Sequence, residues 1–451
     1  MATEFKLVAS DTNEFGRAVA LSGDHAIVGA REKSGFPGSA YVFVKNGTGW
    51  AKQAKLSGSV KQETDDFGFA VAIEGDYAIV GARYNVGPPY GRAYVFHRNG
   101  SDWVEESVLV PIDPMAPWNY LRPIALSGDW ALVGTDAALH FFQRIGSTWT
   151  EQPKFMSLYP VSLSGNYMVT RNSRAYVFQR IGTTWQQQAV LTASHDFDGG
   201  WVSISGNYII VGAPHITTYT VQGAVKGAAY VFERSGSAWI QRARLEPDAA
   251  IPLSEFGSWV AISGDYAVVG APEDFEAAGC TGGAYIFQRK GTAWLRAEKI
   301  IASDAADGDL FGMPVAIDGS VVGGLAIVGA PEKDGKKGAA YILSDFPAVI
   351  GDLPDLSKYA IYAKILFGVT GDGGGLIWLP GKGPVPVGPD PLKAWSMLSP
   401  TKRDVLAGVA LSEMANLISD GNMRQEVRTA GLKLAKQAAS QLRIPDGDQS
   451  A

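Results

Sequence analysis

Between residues 4 and 344 the chain alternates short apolar runs with glycine-centred polar pairs, and the whole alternation recurs. In one copy the apolar run 68–73 stops at Glu74-Gly75-Asp76, a second run 77–80 stops at Gly81-Ala82, and a third follows at 93–96. Runs this short, bounded by turn residues, predict strands rather than helices. Gly23-Asp24, Gly128-Asp129, Gly165-Asn166, Gly206-Asn207 and Gly264-Asp265 stand between first and second runs. They supply the positive φ angles that tight hairpins need. The third run is apolar at both parities, as a strand buried on both faces would be. A fourth begins at a tryptophan nine positions after the aromatic slot of the third, at Trp50, Trp103, Trp149, Trp185, Trp239 and Trp294. Asn46-Gly47, Asn99-Gly100, Gly146, Gly182, Gly236 and Gly291 lie between, which again predicts hairpins.

Four strands per unit, joined by tight turns and repeated at a period of several tens of residues, predict a mainly β fold, a β-propeller. The aromatic slots Tyr41, Tyr94, His140, Tyr176, Tyr230, Tyr285 and Tyr341 count seven blades. After residue 344 the pattern stops before a fourth strand of blade seven, while the segment 6–11 matches 299–304. The N-terminal strand is therefore expected to close the ring. The expected domains are a propeller at 1–344 and a small C-terminal α-helical module with a Gly/Pro-rich hairpin at 345–451. In the latter, 376–379 and 385–387 read as strands, and 399–419 and 422–442 as helices that begin with Ser399-Pro400.

Phe15-Gly16, Phe67-Gly68, Phe256-Gly257 and Phe311-Gly312 open four of the units, and Gly212-Ala213-Pro214, Gly270-Ala271-Pro272 and Gly329-Ala330-Pro331 end the second run in three. This pattern resembles the FG-GAP repeat, whose family includes the propeller heads of integrin α subunits and lectin-like surface proteins. In the integrin-type repeat, the loop between the first two strands carries an Asp-x-Asp-x-Asp-Gly calcium cradle. Here it is reduced to Ser-Gly-Asp, one carboxylate where calcium takes six to eight oxygens. The family's usual calcium sites are therefore expected to be missing. A different acidic group, Asp304, Asp307 and Asp309, precedes Phe311. It is read first as a solvated loop and second as a calcium site.

A formal charge of −6 and the lack of a Lys/Arg run give no reason to approach nucleic acid. The single Cys280 cannot form an internal disulfide. No charged stretch with an apolar core opens the chain, and no apolar run reaches the ~18 residues of a membrane span. The expectation is a soluble chain without a signal peptide or transmembrane segment, cytoplasmic or secreted by a non-classical route. His25, His97, His140, His195 and His215 fall in different units without metal-ligand spacing. No Gly-x-Ser-x-Gly, His-Glu-x-x-His or Cys-x-x-Cys motif occurs, so no catalytic residue is assigned and the chain is expected not to be an enzyme.

Recognition is expected where the copies disagree. The tryptophans that recur in register read as blade packing. Aromatics outside that register, Trp118, Tyr120, Tyr84, Tyr90, Trp201, Tyr219 and Trp259, are the candidate ligand-binding residues. An aromatic face on a sugar ring, with nearby Asp or Asn accepting hydroxyl protons, is the physics of a lectin site. The leading expectation is a lectin-like propeller binding glycans through its variable loops. The alternative is a protein-interaction or adhesion scaffold, with homo-oligomers formed through the C-terminal module.

Overall fold

The strands form where the apolar runs stand. Blade one comprises Phe15–Ser22, His25–Ala30, Ser39–Asn46 and Gly49–Leu56, hydrogen-bonded antiparallel in chain order. Its second and third strands are buried almost throughout, as their uninterrupted apolar character requires. The computed structural model describes residues 2–30, 38–60, 66–83, 91–111, 123–135, 138–156, 160–172, 174–193, 199–215, 227–247, 254–276, 279–347, 349, 376–379 and 383–386. Five further sheets repeat the blade-one order, at 66–109, 124–156, 161–191, 202–245 and 259–300, the one at 124–156 adding Phe155–Met156 against its third strand. The seventh joins Val315–Asp318, Leu325–Ala330 and Ala339–Ser344 to Thr3–Leu7, which pairs from Thr3↔Ser344 to Leu7↔Ala340. First strands of successive blades pack side by side, and Val315–Asp318 of blade seven packs against Phe15–Ser22 of blade one. The fold is a seven-bladed β-propeller.

The Phe-Gly pair works in two directions. The phenylalanine packs into its own blade, edge-on to the buried tyrosine of the third strand: Phe15 on Tyr41 at 5.6 Å and Phe311 on Tyr341 at 5.3 Å between ring centroids. The glycine faces the preceding blade. Gly16 has φ +91°, and a Cβ built on it would lie 2.1 Å from the Ala339 carbonyl oxygen of blade seven. The Gly-Ala glycine answers from the other side, since a Cβ on Gly29 would lie 2.0 Å from the Gly68 carbonyl oxygen of blade two. The same approach recurs at Gly212 with Gly257, Gly270 with Gly312, and Gly329 with Gly16. Neighbouring sheets touch backbone to backbone here, a separation that no side chain permits.

At the opposite end of the blades the Gly-Asp hairpins interlock. Gly23 N–H donates to Asp318 Oδ2 at 2.7 Å, Gly75 N–H to Ser22 Oγ at 2.9 Å, and Gly128 N–H to Glu74 Oε2 at 2.6 Å. Gly165 and Gly206 donate likewise to Ser127 and Ser164, so the hairpins of blades one to five are each tied to the one before. The Asp or Asn of the hairpin also accepts from an arginine of the third strand, in the pairs Arg98–Asp76, Arg144–Asp129, Arg180–Asn166, Arg234–Asn207 and Arg289–Asp265. Four of these guanidinium groups lie over a ring of the previous blade: Arg144 over Tyr77, Arg180 over Trp130, Arg234 over Tyr167 and Arg289 over Tyr208. The register tryptophans complete the joint. Trp103, Trp149 and Trp239 donate their indole N–H to Gln53, Glu106 and Gln188 of the preceding blade.

The chain divides into two units, Met1–Val349 and Ile350–Ala451. In the second, Leu376–Leu379 pairs with Gly383–Pro386 as a hairpin, and the helices expected at 399–419 and 422–442 lie outside the described residues.

Candidate functional site

Of the seven aromatic candidates, Trp118, Tyr120, Tyr84, Tyr90 and Tyr219 lie outside the described residues. Trp201 and Trp259 are described, and the fold brings them together. Their rings stack with centroids 4.2 Å apart and planes 16° from parallel, each ring half-buried. Trp259 opens the first strand of blade six opposite Gly270, the register that Ala18 keeps with Gly29 and Ala70 with Gly81. Trp201 accepts from Gly212 N–H as Pro123, Pro160 and Pro314 accept from Gly134, Arg171 and Gly329. The two indoles thus occupy one slot of the blade, filled elsewhere by alanine or proline. Reading each tryptophan against its own neighbours hid this equivalence. Aligning both on the Val-x-Ile-Ser that follows, 202–205 and 260–263, would have revealed it.

The backbone under the pair is held by Trp201 N–H donating to the Ser258 carbonyl at 3.0 Å. Gly199 and Gly200 both take positive φ, and a Cβ on Gly199 would lie 2.8 Å from His215 Cδ2. That glycine gives the imidazole its place. From blade six, Glu255 accepts from Ser258 Oγ at 3.0 Å. Burial holds the Glu273 carboxyl above its ordinary range, the Glu255 charge adds to the effect, and His215 partly offsets it. Burial likewise pushes the Cys280 thiol up, reinforced by the negative charges of Glu273, Asp307, Asp274 and Glu255. Asp274 is wholly buried; its Oδ2 accepts from Tyr285 Oη at 2.6 Å and Lys299 Nζ at 2.9 Å, and its Oδ1 has no partner. The mouth of blades five and six therefore combines a double indole with a concentration of carboxylate charge.

The three aspartates before Phe311 do not converge. Asp304 accepts from Lys6 Nζ at 2.6 Å and Tyr341 Oη at 2.7 Å. Burial works to raise its pKa, but the Lys6 and Tyr341 hydrogen bonds and the Lys333 and Lys6 charges together hold it below the usual value. Asp309 is buried against Lys333 Nζ at 2.8 Å, and Lys333 also donates to the Asp304 carbonyl oxygen. Asp307 turns away to accept from Cys280 N–H at 2.8 Å. The Lys333 ammonium supplies the positive charge that this loop needs. Among the described residues no three His, Cys, Asp or Glu side chains form a group suited to a metal ion.

Other polar groups marked by the repeat serve the blades. Tyr41 donates to Asp11, which also takes Lys55; Tyr341, Asp304 and Lys6 repeat the set in blade seven, and Tyr285, Asp274 and Lys299 in blade six. His140 fills the tyrosine slot of blade three, fully buried, with Nδ1 2.7 Å from Glu151 Oε1. No helix among the described residues is long and apolar enough to cross a membrane.

Among solved structures, a protein from Lactobacillus plantarum is similar with TM-score 0.44 and 12% identity over 68% of this chain and 98% of that one. BamB from Moraxella catarrhalis gives TM-score 0.37 and 12% identity over 73% of this chain and 83% of its own. Saccharomyces cerevisiae Sqt1 gives 0.45 and 10% over 77% and 100%. No curated protein matches the chain. The sequence pattern of the FG-GAP repeat matches residues 2–43, 50–96, 185–232, 239–287 and 294–343, passing over blades three and four, where Phe-Gly becomes Tyr120-Leu121 and Ser157-Leu158. Each matched stretch from 50 onward begins on the fourth strand of one blade and runs through the third strand of the next. The matches span more than half of the 451 residues, and the chain belongs to the FG-GAP repeat family.

Proposed function

We propose that this propeller is a non-enzymatic recognition protein that binds a glycan at the mouth of blades five and six. The stacked pair Trp201–Trp259 is the observation that carries the reading. Two half-exposed indoles take the place of alanine or proline, so the exchange is not required by the blade itself. Indoles offer apolar faces for the C–H side of a sugar ring, and His215, Glu255 and Glu273 provide polar groups for its hydroxyls. In the same reading Thr3–Leu7 is the strand that seals the ring, and 345–451 is a module for assembly into homo-oligomers. Calcium has no assigned role, because Lys333 already balances the one acidic loop that suggested it.

A glycan array, run with and without chelator on the full chain and on Trp201→Ala and Trp259→Ala, tests the proposal. The expected result is a sugar-competed signal that is insensitive to chelator and reduced about tenfold or more in either variant, from loss of ~1.5 kcal/mol of aromatic contact. An array without signal refutes it. The scaffold reading has an observation of its own. Ile145 and Ile181, 66% and 55% exposed, occupy one hairpin position of adjacent blades, where Asn46, Asn99, Ser235 and Lys290 stand elsewhere. Capture of one defined protein, lost in Ile145→Asn with Ile181→Asn and retained in the tryptophan variants, would favour that alternative.

A further inference from the structure

We infer that Arg92 in blade two anchors a second binding site, which takes a small carboxylate anion. Arg92 stands near the start of the third strand, Gly91–Asn99, two places before Tyr94. The same place holds Ser39, Ala138, Ala228, Gly283 and Ala339 in blades one, three, five, six and seven. In blade four it holds Arg174, which lies in solvent. A small residue therefore satisfies the blade, and packing alone does not call for the long cationic chain of Arg92.

Unlike Arg174, Arg92 keeps only 6% of its surface exposed. Its Nε has no hydrogen-bond partner, and no ion pair joins its guanidinium to an Asp or Glu among the described residues. A guanidinium stays charged when it is buried, so without an opposite charge this arrangement is strongly unfavourable. The surroundings do not supply one. Arg92 lies opposite Ala82 and Ala82 opposite Phe67, and these share with Tyr94 the face turned to blade one. The adjacent row, Gly91, Arg83 and Asp66, points to the other face. There Arg83 holds Asp66 Oδ2 with two nitrogens, at 3.0 and 2.7 Å.

Comparison between copies sharpens the contrast. In blades one and seven a carboxylate and a lysine attend the tyrosine, Asp11 with Lys55 at Tyr41 and Asp304 with Lys6 at Tyr341. In blade two those positions are Val60 and Val108, and Tyr94 Oη donates to the Val60 carbonyl oxygen at 3.1 Å. An internal ion pair has been exchanged for one uncompensated cation. The planar fork of a guanidinium matches a carboxylate through two parallel charge-assisted hydrogen bonds. One negative charge then balances the site, whereas a dianion such as sulfate would carry excess charge into the apolar surround of Phe67 and Ala82.

The test uses the full chain labelled with 15N-arginine at about pH 7, where carboxylates are ionised. Sodium acetate, sodium sulfate and neutral acetamide are titrated at constant ionic strength, made up with chloride. The Nε–H resonance of Arg92 is assigned by its loss in Arg92→Gln, a variant expected to fold because it removes an unpaired buried charge; Arg92→Lys serves for the assignment should it not. Acetate is expected to move that resonance along a saturable curve, about tenfold more tightly than sulfate, while acetamide leaves it in place and Arg174 only drifts. Acetate should also raise the thermal midpoint relative to chloride in the unmodified chain and not in Arg92→Gln. A linear drift shared with Arg174, or an equal response to acetamide, overturns the inference. Tighter sulfate than acetate at Arg92 overturns the carboxylate assignment in favour of a dianion site, and acetate stabilisation that persists in Arg92→Gln removes Arg92 as the anchor. No arm touches Trp201 or Trp259, so the glycan proposal stands or falls separately.

Discussion

Gly29→Ala is the sharpest perturbation of the blade joint, because the added methyl has one place to go and that place is filled. Its Cβ would stand 2.0 Å from the Gly68 carbonyl oxygen, 3.0 Å from the Gly68 carbonyl carbon and 3.2 Å from Ala18 Cβ. Relief to a tolerable ~3.2 Å needs about 1.2 Å of separation between two sheets, and the nearest obstacle is backbone, which has no rotamer to give. Overpacking of this kind costs about 3 kcal/mol or more, the top of the usual range, since opening the joint also forfeits dispersion contacts along both strands. Gly47→Ala is the control. Its Cβ meets nothing within 4 Å, but φ is +60°, so it carries about 1 kcal/mol of left-handed strain alone. Urea unfolding followed by tryptophan fluorescence should separate the two variants by about 2 kcal/mol. If Gly29→Ala unfolds with the control or later, the backbone-to-backbone contact does not hold the blades together and the account of the Phe-Gly and Gly-Ala glycines is wrong.

Three further outcomes follow from the same interfaces. Lys333→Ala leaves the buried Asp309 carboxylate uncompensated and should cost ~3–5 kcal/mol, much of it recovered when Lys333→Met is combined with Asp309→Asn, as read from thermal unfolding. Arg234→Lys loses two bonds to Asn207, one to Tyr167 Oη and the stack over that ring, about 1–2 kcal/mol, whereas Arg244→Lys in the exposed pair with Glu246 should be silent in the same melt. Asp11 is held below its ordinary value of 3.8 by Lys55 and Tyr41, and Asp304 is lowered too. A depressed carboxylate stabilises the fold above its unfolded pKa and loses that contribution as pH falls through the folded one. Stability should therefore drop below about pH 4, and Asp11→Asn with Asp304→Asn should flatten that acid limb; an unchanged limb removes these residues from the account.

The blades were legible in the sequence because their constraint is repeated. Apolar runs, hairpin glycines and the Phe-Gly pair occur often enough for seven sheets to be counted from them. Partnerships between blades were not legible, because they link residues some fifty positions apart, as when Trp103 donates to Gln53. The arginine two places after the third-strand phenylalanine, at Arg98, Arg144, Arg180, Arg234 and Arg289, was a periodic signal whose partners, the hairpin Asp or Asn in all five and a ring of the previous blade in the last four, only the fold shows. Lys333 hid for a different reason. Three aspartates near a turn suggest a cation, and the sequence cannot show that a lysine 24 residues further on has already arrived. At the candidate site, Trp201 and Trp259 were chosen singly, and their stacking needed the ring to bring neighbouring blades side by side.

The hairpin bond from Gly23 to Asp318 joins the first blade to the last. In an open stack of repeats the terminal unit can peel away by breaking one boundary, so such arrays fray from their ends. A circuit has no end unit. Detaching any blade here ruptures two boundaries together, so amide exchange should report one cooperative opening, uniform around the circle, instead of a gradient of protection along the chain.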